Sequence, residues 1–253
     1  MNKVNIGKCV LAIFSQVMFT FSGVVTADES DVSMQRVGAL LVDRTEVTIA
    51  SFSEFIATTG TSTRAEKSGG LVYDGGWKAM PGWYWQKPFG QKADPELPAV
   101  HVTFDEAQAY CRWSDKRLPT DIEWQSVAYT ESRAQPEPPF TRGETYPYPT
   151  GLEPVGANCL HECGATKAID YSAKLTRGIG PAPVATGKVG VNGLFDMGAN
   201  VWEWTDIDSD HQKGTRGGSW WYGSSPMKRD HRATKPRDMA VVYIGFRCVR
   251  DVD

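Results

Sequence analysis

The sequence predicts an α+β domain in which ordered loops carry more of the chain than helices and strands do. Three observations lead there. A few capped amphipathic segments are too few for a helical bundle. Short β-like runs lie near both ends. Long stretches rich in proline and glycine lie between them, loaded with large aromatics. The 253 residues include 25 glycines, 15 prolines and 9 tryptophans. Glycine and proline punctuate regular structure, and large rings can pin an irregular chain.

In chain order, the first segment reads as an export signal. "MNKVNIGK" carries Lys3 and Lys8 and no acid, "CVLAIFSQVMFTFSGVV" is apolar, and "VTA" ends in small residues before "DESD". That pattern predicts a signal peptide over residues 1–27 and a single domain over 28–253. An uncleaved anchor is the alternative, but the apolar run is short for a span and no basic stop follows it. The protein is therefore expected to be periplasmic or secreted.

The next elements follow from capping chemistry. "VGALLV" predicts a strand around residues 37–42. A helix follows, with Ser51 as N-cap, Glu54 three residues on and Gly60 past its end. Residues 61–97, with "GWKAMPGWYWQKPFG", read as an extended loop. "PAVHVTFDEAQAYCRWSD" reads as a strand entering a helix. Thr103 and Glu106 form its capping box, and Phe104, Ala107, Tyr110 and Cys111 share one face. Thr120 and Glu123 repeat the device after Pro119. Five prolines between residues 136 and 149 rule out a long helix there. Residues 154–192 show no clear period. "RGGSWWYG" and "YIGFRCVR" read as short strands.

Charge and cysteines narrow the function classes. The net charge is −3, and a mildly acidic chain is a poor partner for nucleic acid. No later apolar run is long enough for a membrane span. Cys9 lies in the predicted signal. Cys111, Cys159, Cys163 and Cys248 remain, an even set suited to an oxidising compartment, with three possible pairings. "CLHEC" reads as a small disulfide-closed loop, with a metal cluster that includes His161 as the alternative.

The densest chemistry lies in "GLFDMGANVWEWTD" (residues 193–206). It sets Asp196, Asn200, Glu203 and Asp206 among Phe195, Trp202 and Trp204. Carboxylates inside an aromatic segment need a cation or a dense hydrogen-bond net.

Taken in order, "DRTEVTIASFSEFI", "KRLPTDIEW", "GLFDMGANVWEW", "RGGSWW" and "GFRCVR" resemble the formylglycine-generating enzyme, or sulfatase-modifying factor, family. The likeness runs from about residue 37 to residue 250. It implies a C-type-lectin-like variant of the α+β class with little regular structure. It also implies structural calcium at Asp196 and Glu203 through carboxylates and at Ala199 and Val201 through carbonyls. Calcium takes about six to eight oxygen ligands, which such a loop can supply. Asn200 is expected to hydrogen-bond the loop itself. A second calcium site would use Asn158, the Cys159 carbonyl and Asp170, although residues 159–182 depart from the family spacing. The resemblance further implies a Cys111–Cys248 disulfide, which leaves Cys159 with Cys163.

One departure bears on activity. The family's oxidation of a sulfatase cysteine uses two thiolates that hold Cu(I), at the third and eighth positions after the serine of GGS. Here those positions are Tyr222 and Met227. No two-thiolate site forms from them, so copper is not expected. Other relatives without that pair include a periplasmic enzyme of pyoverdine maturation and several binding modules. The cleft candidates by position are Ser219, Trp202, Tyr222, Arg229 and His231. An aromatic cleft with these groups suits a flat or peptide-like ligand, and His231 suits a base near neutral pH. The alternative is that Arg229 and His231 make ordinary strand hydrogen bonds. The expected partner is a small aromatic or peptide substrate, or a periplasmic protein.

Overall fold

The computed structural model describes Met1 and residues 33–170, 173–175 and 179–252. Apart from Met1, the predicted signal peptide lies outside the described residues. The chain begins with a tight hairpin, β1 (Met34–Val37) and β2 (Leu40–Asp43). The expected single strand over 37–42 is thus split by a turn at Gly38 and Ala39, where Gly38 has φ +62°. Strand β2 also pairs antiparallel with β9 (Val249–Asp251), so the two ends of the domain share one three-stranded sheet.

Helix α1 spans Ile49–Thr59 and buries Ile49, Phe52 and Phe55. Its cap is Thr48, not Ser51. The Thr48 hydroxyl accepts the Ser51 N–H, so Ser51 lies within the first turn. An apolar Ile–Ala pair after Thr48 hid the true start. Gly60 closes the helix in the left-handed region at φ 67°, as expected.

The stretch 61–97 is more regular than a loop. A short helix α2 (Arg64–Ser68) has its own capping box from Thr63 and Glu66, and β3 (Gly70–Tyr73) pairs with β4 (Trp77–Met80). Strand β4 is largely exposed, so it lacks the alternation that marks a half-buried strand. The expected strand before residue 103 is absent. Residues 99–102 are buried as irregular chain.

Helices α3 (Phe104–Trp113) and α4 (Asp121–Tyr129) carry both predicted capping boxes. The α3 face buries Phe104, Ala107, Tyr110 and Cys111. Cys111 is disulfide-bonded to Cys248 across a sequence separation of 137. Closing a loop that long restricts the unfolded chain by about 4–5 kcal/mol in loop-closure entropy. Between α4 and residue 201 the described residues form no α-helix or named strand, only a short 3-10 turn at Val191–Gly193. A mixed sheet then forms in the order β7 (Ala233–Pro236), β6 (Gln212–Arg216), β5 (Trp202–Thr205), β8 (Ile244–Gly245). Of "RGGSWWYG" only Arg216 belongs to a strand.

The main core lies between α1, α3 and this sheet, around Phe52, Phe104, Trp204, Trp220 and Phe246. A buried ion pair joins α4 to β6. Arg216 donates from Nε and Nη2 to the two Asp121 oxygens at 2.8 and 2.7 Å. Burial alone would raise the Asp121 pKa, but the Arg216 hydrogen bonds and charge, with Arg232, hold it below the usual carboxylate value.

A carboxyl depressed in the folded state stabilises the fold above its unfolded pKa. That contribution disappears as pH falls through the folded value. Asp121→Asn should therefore lower stability at pH 7 and make unfolding less steeply acid-dependent below about pH 4. Urea melts between pH 2 and 7 measure this. An acid limb as steep as that of the wild type would count against the pair.

Candidate functional site

The loop Asp196–Asn200 leads directly into β5. Asp196, Ala199 and Asn200 all take left-handed φ, at 57°, 63° and 51°. Non-glycine residues pay for such conformations, and a series of them persists only where surroundings hold it. Here the Ala199 N–H donates to the Gly217 carbonyl at 2.8 Å, and the Asn200 N–H to the Asn158 carbonyl at 3.0 Å. The Asn200 side chain accepts from Asn158 Nδ2 and the Ala182 N–H, and it donates to Glu46 Oε2 at 3.3 Å. Asn200 thus ties its loop to three distant segments, where the sequence suggested bonds within the loop itself.

The curled loop brings three carboxylates to one arginine. Glu203 is 1% exposed and receives Arg247 Nε and Nη2 at 2.8 and 2.7 Å, plus Trp124 Nε1 at 2.7 Å. Burial opposes the charge on Arg247, yet Glu203, Glu46 and Asp196 outweigh it and hold the guanidinium charged. Asp196 Oδ2 accepts the Ala185 N–H at 2.8 Å. A side chain at Gly187 would bring its Cβ to 2.8 Å from Asp196 Oδ1, so only glycine leaves that oxygen room.

Glu46 completes the group and was missed by the sequence reading. It is 1% exposed, and among the described residues its Oε1 has no hydrogen-bond partner. Burial, then the charges of Asp196 and Glu203, raise its pKa well above the ordinary value. Burial likewise pushes Asp196 up to about 6, against the Ala185 N–H and Arg247. An acid set among the β-branched residues of "TEVTIA" was the available signal.

This arrangement fits a hard cation. Two buried carboxyls, Glu46 and Glu203, and the partly buried Asp196 surround one guanidinium, and among the described residues Glu46 Oε1 meets no donor. Among the described residues, no three His, Cys, Asp or Glu side chains are set as a metal site by themselves. A cation here would therefore draw on carbonyl oxygens too, as calcium does. The expected second cation set is dispersed. Asn158 is buried beside a cavity of about 270 Å³, whereas Asp170 is exposed and lines a different one of about 440 Å³ with Phe89 and Lys92. The Asn158 amide instead donates to the Gly180 carbonyl and Asn200.

The cleft candidates also separate. Trp202, Tyr222 and His231 form one group. The Trp202 ring lies 5.9 Å from Tyr222 and 5.7 Å from His231. Tyr222 shares a phenol hydrogen bond with Tyr243, whose pKa is raised by burial and by Tyr222. Burial, then the charges of Arg216 and Lys235, lower the His231 pKa, so its ring is neutral near pH 7. Ser219 is fully buried, and its hydroxyl accepts the Trp221 N–H at 3.3 Å. Arg229 is exposed beside another cavity, with Asp230 and Lys228. The carbonyls of Arg229 and His231 both accept from Arg216 Nη1. These two residues precede β7 and lie in no strand. Met227 is fully buried against Ala157, Cys159, Cys163 and Ala199.

Residues 16–252 match the sulfatase-modifying factor enzyme 1-like domain. The formylglycine-generating enzyme of Thermomonospora curvata is 28% identical over 88% of this chain and 86% of that protein. The inactive C-alpha-formylglycine-generating enzyme 2 of Mus musculus is 29% identical over 68% of this chain and 56% of that protein. The solved structure of PvdO from Pseudomonas aeruginosa superposes with a TM-score of 0.57 at 16% identity, covering 84% of this chain and 80% of that one. The fold is the lectin-like α+β variant that the sequence motifs implied.

Arg247→Met should destabilise the protein by about 3–5 kcal/mol, because Glu203 would stay buried without its partner. Adding Glu203→Gln should recover part of that loss in urea denaturation. A single variant within about 1 kcal/mol of wild type would refute the pair's role.

Proposed function

The chain belongs to the sulfatase-modifying factor enzyme 1-like family, and we propose that it is an atypical oxidative member of it. In this reading it is an exported maturation enzyme, similar to the pyoverdine-maturation branch. Its substrate is a small aromatic or peptide-like molecule. It does not generate formylglycine through a copper–thiolate pair.

One observation carries the reading. The two positions of that pair hold a phenol and a thioether, Tyr222 and Met227, and Met227 is sealed in the core. What remains toward solvent is Tyr222 and the neutral imidazole of His231, both packed on the buried Trp202 ring. In the proposed chemistry a flat ring packs against Tyr222, which the buried Trp202 backs, and His231 accepts a proton from the substrate. Two disulfides agree with residence in the periplasm or outside the cell.

A second reading is a catalytically silent binding module for a periplasmic partner. The burial of Ser219 favours it, because a hydroxyl committed to the Trp221 N–H meets no substrate.

Oxygen uptake with small phenols and cysteine-containing peptides separates the two readings. Oxidation that falls about tenfold or more in His231→Ala and Tyr222→Phe, with melting unchanged, supports the enzyme. Aldehyde formation on a sulfatase-derived peptide would overturn it. Silence with every substrate, together with capture of a protein partner, supports the module.

We also assign a structural calcium ion to Asp196 and Glu203, with the Ala199 and Val201 carbonyls, and add Glu46 to the group. The ion would offset the surplus carboxylate charge and fix the entry to β5. Calcium at about 100 times its dissociation constant would stabilise the fold by about 2.7 kcal/mol, or roughly 5–10 °C in Tm. A chelator should remove that increment and calcium should restore it. A melting curve indifferent to both would refute the assignment.

A further inference from the structure

We propose that Cys159, Cys163 and Met227 form a redox-gated site for a soft monovalent cation, Cu(I), which assembles when their disulfide is reduced. This goes beyond the family assignment and does not depend on the oxidative reading.

The geometry is a convergence of three sulfurs. Cys159 and Cys163 are disulfide-bonded across a separation of only 4 residues. The Cys163 sulfur lies 3.8 Å from the Met227 sulfur. As a disulfide, Cys163 has no S–H to donate, so this is a contact between two sulfurs. All three residues are buried, at 4%, 1% and 0% exposure, in a small apolar cluster. Thiolates and thioethers are soft ligands that select Cu(I). With metal–sulfur bonds of about 2.3 Å, a three-coordinate ion separates its sulfurs by roughly 4 Å. One edge of that triangle is already in place.

Both sides of the triangle are held independently of the disulfide. The Leu160 N–H donates to the Tyr222 carbonyl at 2.8 Å. The Glu162 carboxylate accepts the Ser224 N–H at 3.1 Å and also the Ser224 hydroxyl. On the other side, the Tyr129 hydroxyl holds the Met227 carbonyl at 2.8 Å. Breaking the S–S bond therefore leaves the cysteine loop docked beside Met227. The Cys111–Cys248 bond is fully buried elsewhere and staples α3 to the end of the chain.

The chemistry balances with a dithiol reductant. It supplies two electrons and two protons and becomes a disulfide, while Cys159 and Cys163 become thiols. Binding of Cu(I) then releases two protons to solvent and leaves two thiolates and one thioether on the metal. In the oxidised form no thiolate exists and the ion is refused.

The test uses the full chain, reduced by a dithiol without oxygen, with alkylation and peptide mass mapping to show which cysteines are free. Cu(I) is then titrated in competition with a chromogenic Cu(I) chelator. The expected result is one ion per reduced chain, thiolate-to-copper absorption in the near ultraviolet, and no uptake by the oxidised protein. Met227→Leu should weaken binding about tenfold or more, and Cys159→Ser should abolish the absorption. Equal affinity in Met227→Leu would overturn the proposal, as would uptake by the reduced wild type no greater than in Cys159→Ser. The double variant Cys159→Ser, Cys163→Ser must keep its circular dichroism. A variant that unfolds would also refute the proposal, since the reduced site could then not assemble.

Discussion

The ion pair between Glu203 and Arg247 is the contact on which the rest of the domain is assembled. It sits at 1% exposure on both side chains. Arg247 also donates to the carbonyls of Asp43 and Phe195, and Glu203 takes the indole of Trp124. One guanidinium thus ties the first hairpin, the curled loop, β5 and the final segment together. A charge pair taken out of water gains stability only when its remaining hydrogen-bonding capacity is also met, and here it is. The same burial has a cost. Among the described residues, Glu46 and Asp196 share the volume with Arg247 as the cation that acts on both, and Glu46 keeps one oxygen without a donor.

Much of the fold was readable because local chemistry determined it. Thr103 with Glu106, and Thr120 with Glu123, met the demand of helix N-termini for acceptors, and both boxes are present. The even cysteine set yielded two disulfides. What escaped the reading depended on distance. Ser51 competed with Thr48 for one cap, and only the packing of Ile49 against the core decided between them. Strand β4 pairs with β3 while facing solvent, so no periodicity marked it.

The candidate site was legible only in part, for the same reason. Asp196 and Glu203 stood out because a tight aromatic segment rarely holds acids. Glu46 lies some 150 residues earlier and reaches them only through the pairing of chain segments distant in sequence. Ser219 was singled out by its position in a motif, but burial is a property of the whole fold, and it removes Ser219 from the surface. Position alone could not tell that Arg229 lies exposed beside a cavity while Trp202 is buried in the core. The contact of Cys163 with Met227 joins residues 64 apart and has no trace in either local pattern.

The pairing of β2 with β9 has a consequence for synthesis. Hydrogen bonds from Leu40, Leu41 and Val42 wait for partners at Asp251, Arg250 and Val249. Cys111 waits in the same way for Cys248. While a ribosome is still making the chain, most of the polypeptide has emerged without the segment that closes it. Pairings this remote in sequence form slowly, and hydrophobic surface stays uncovered meanwhile. The hydrophobic core therefore stays open until residues 248–251 have been made and can close it.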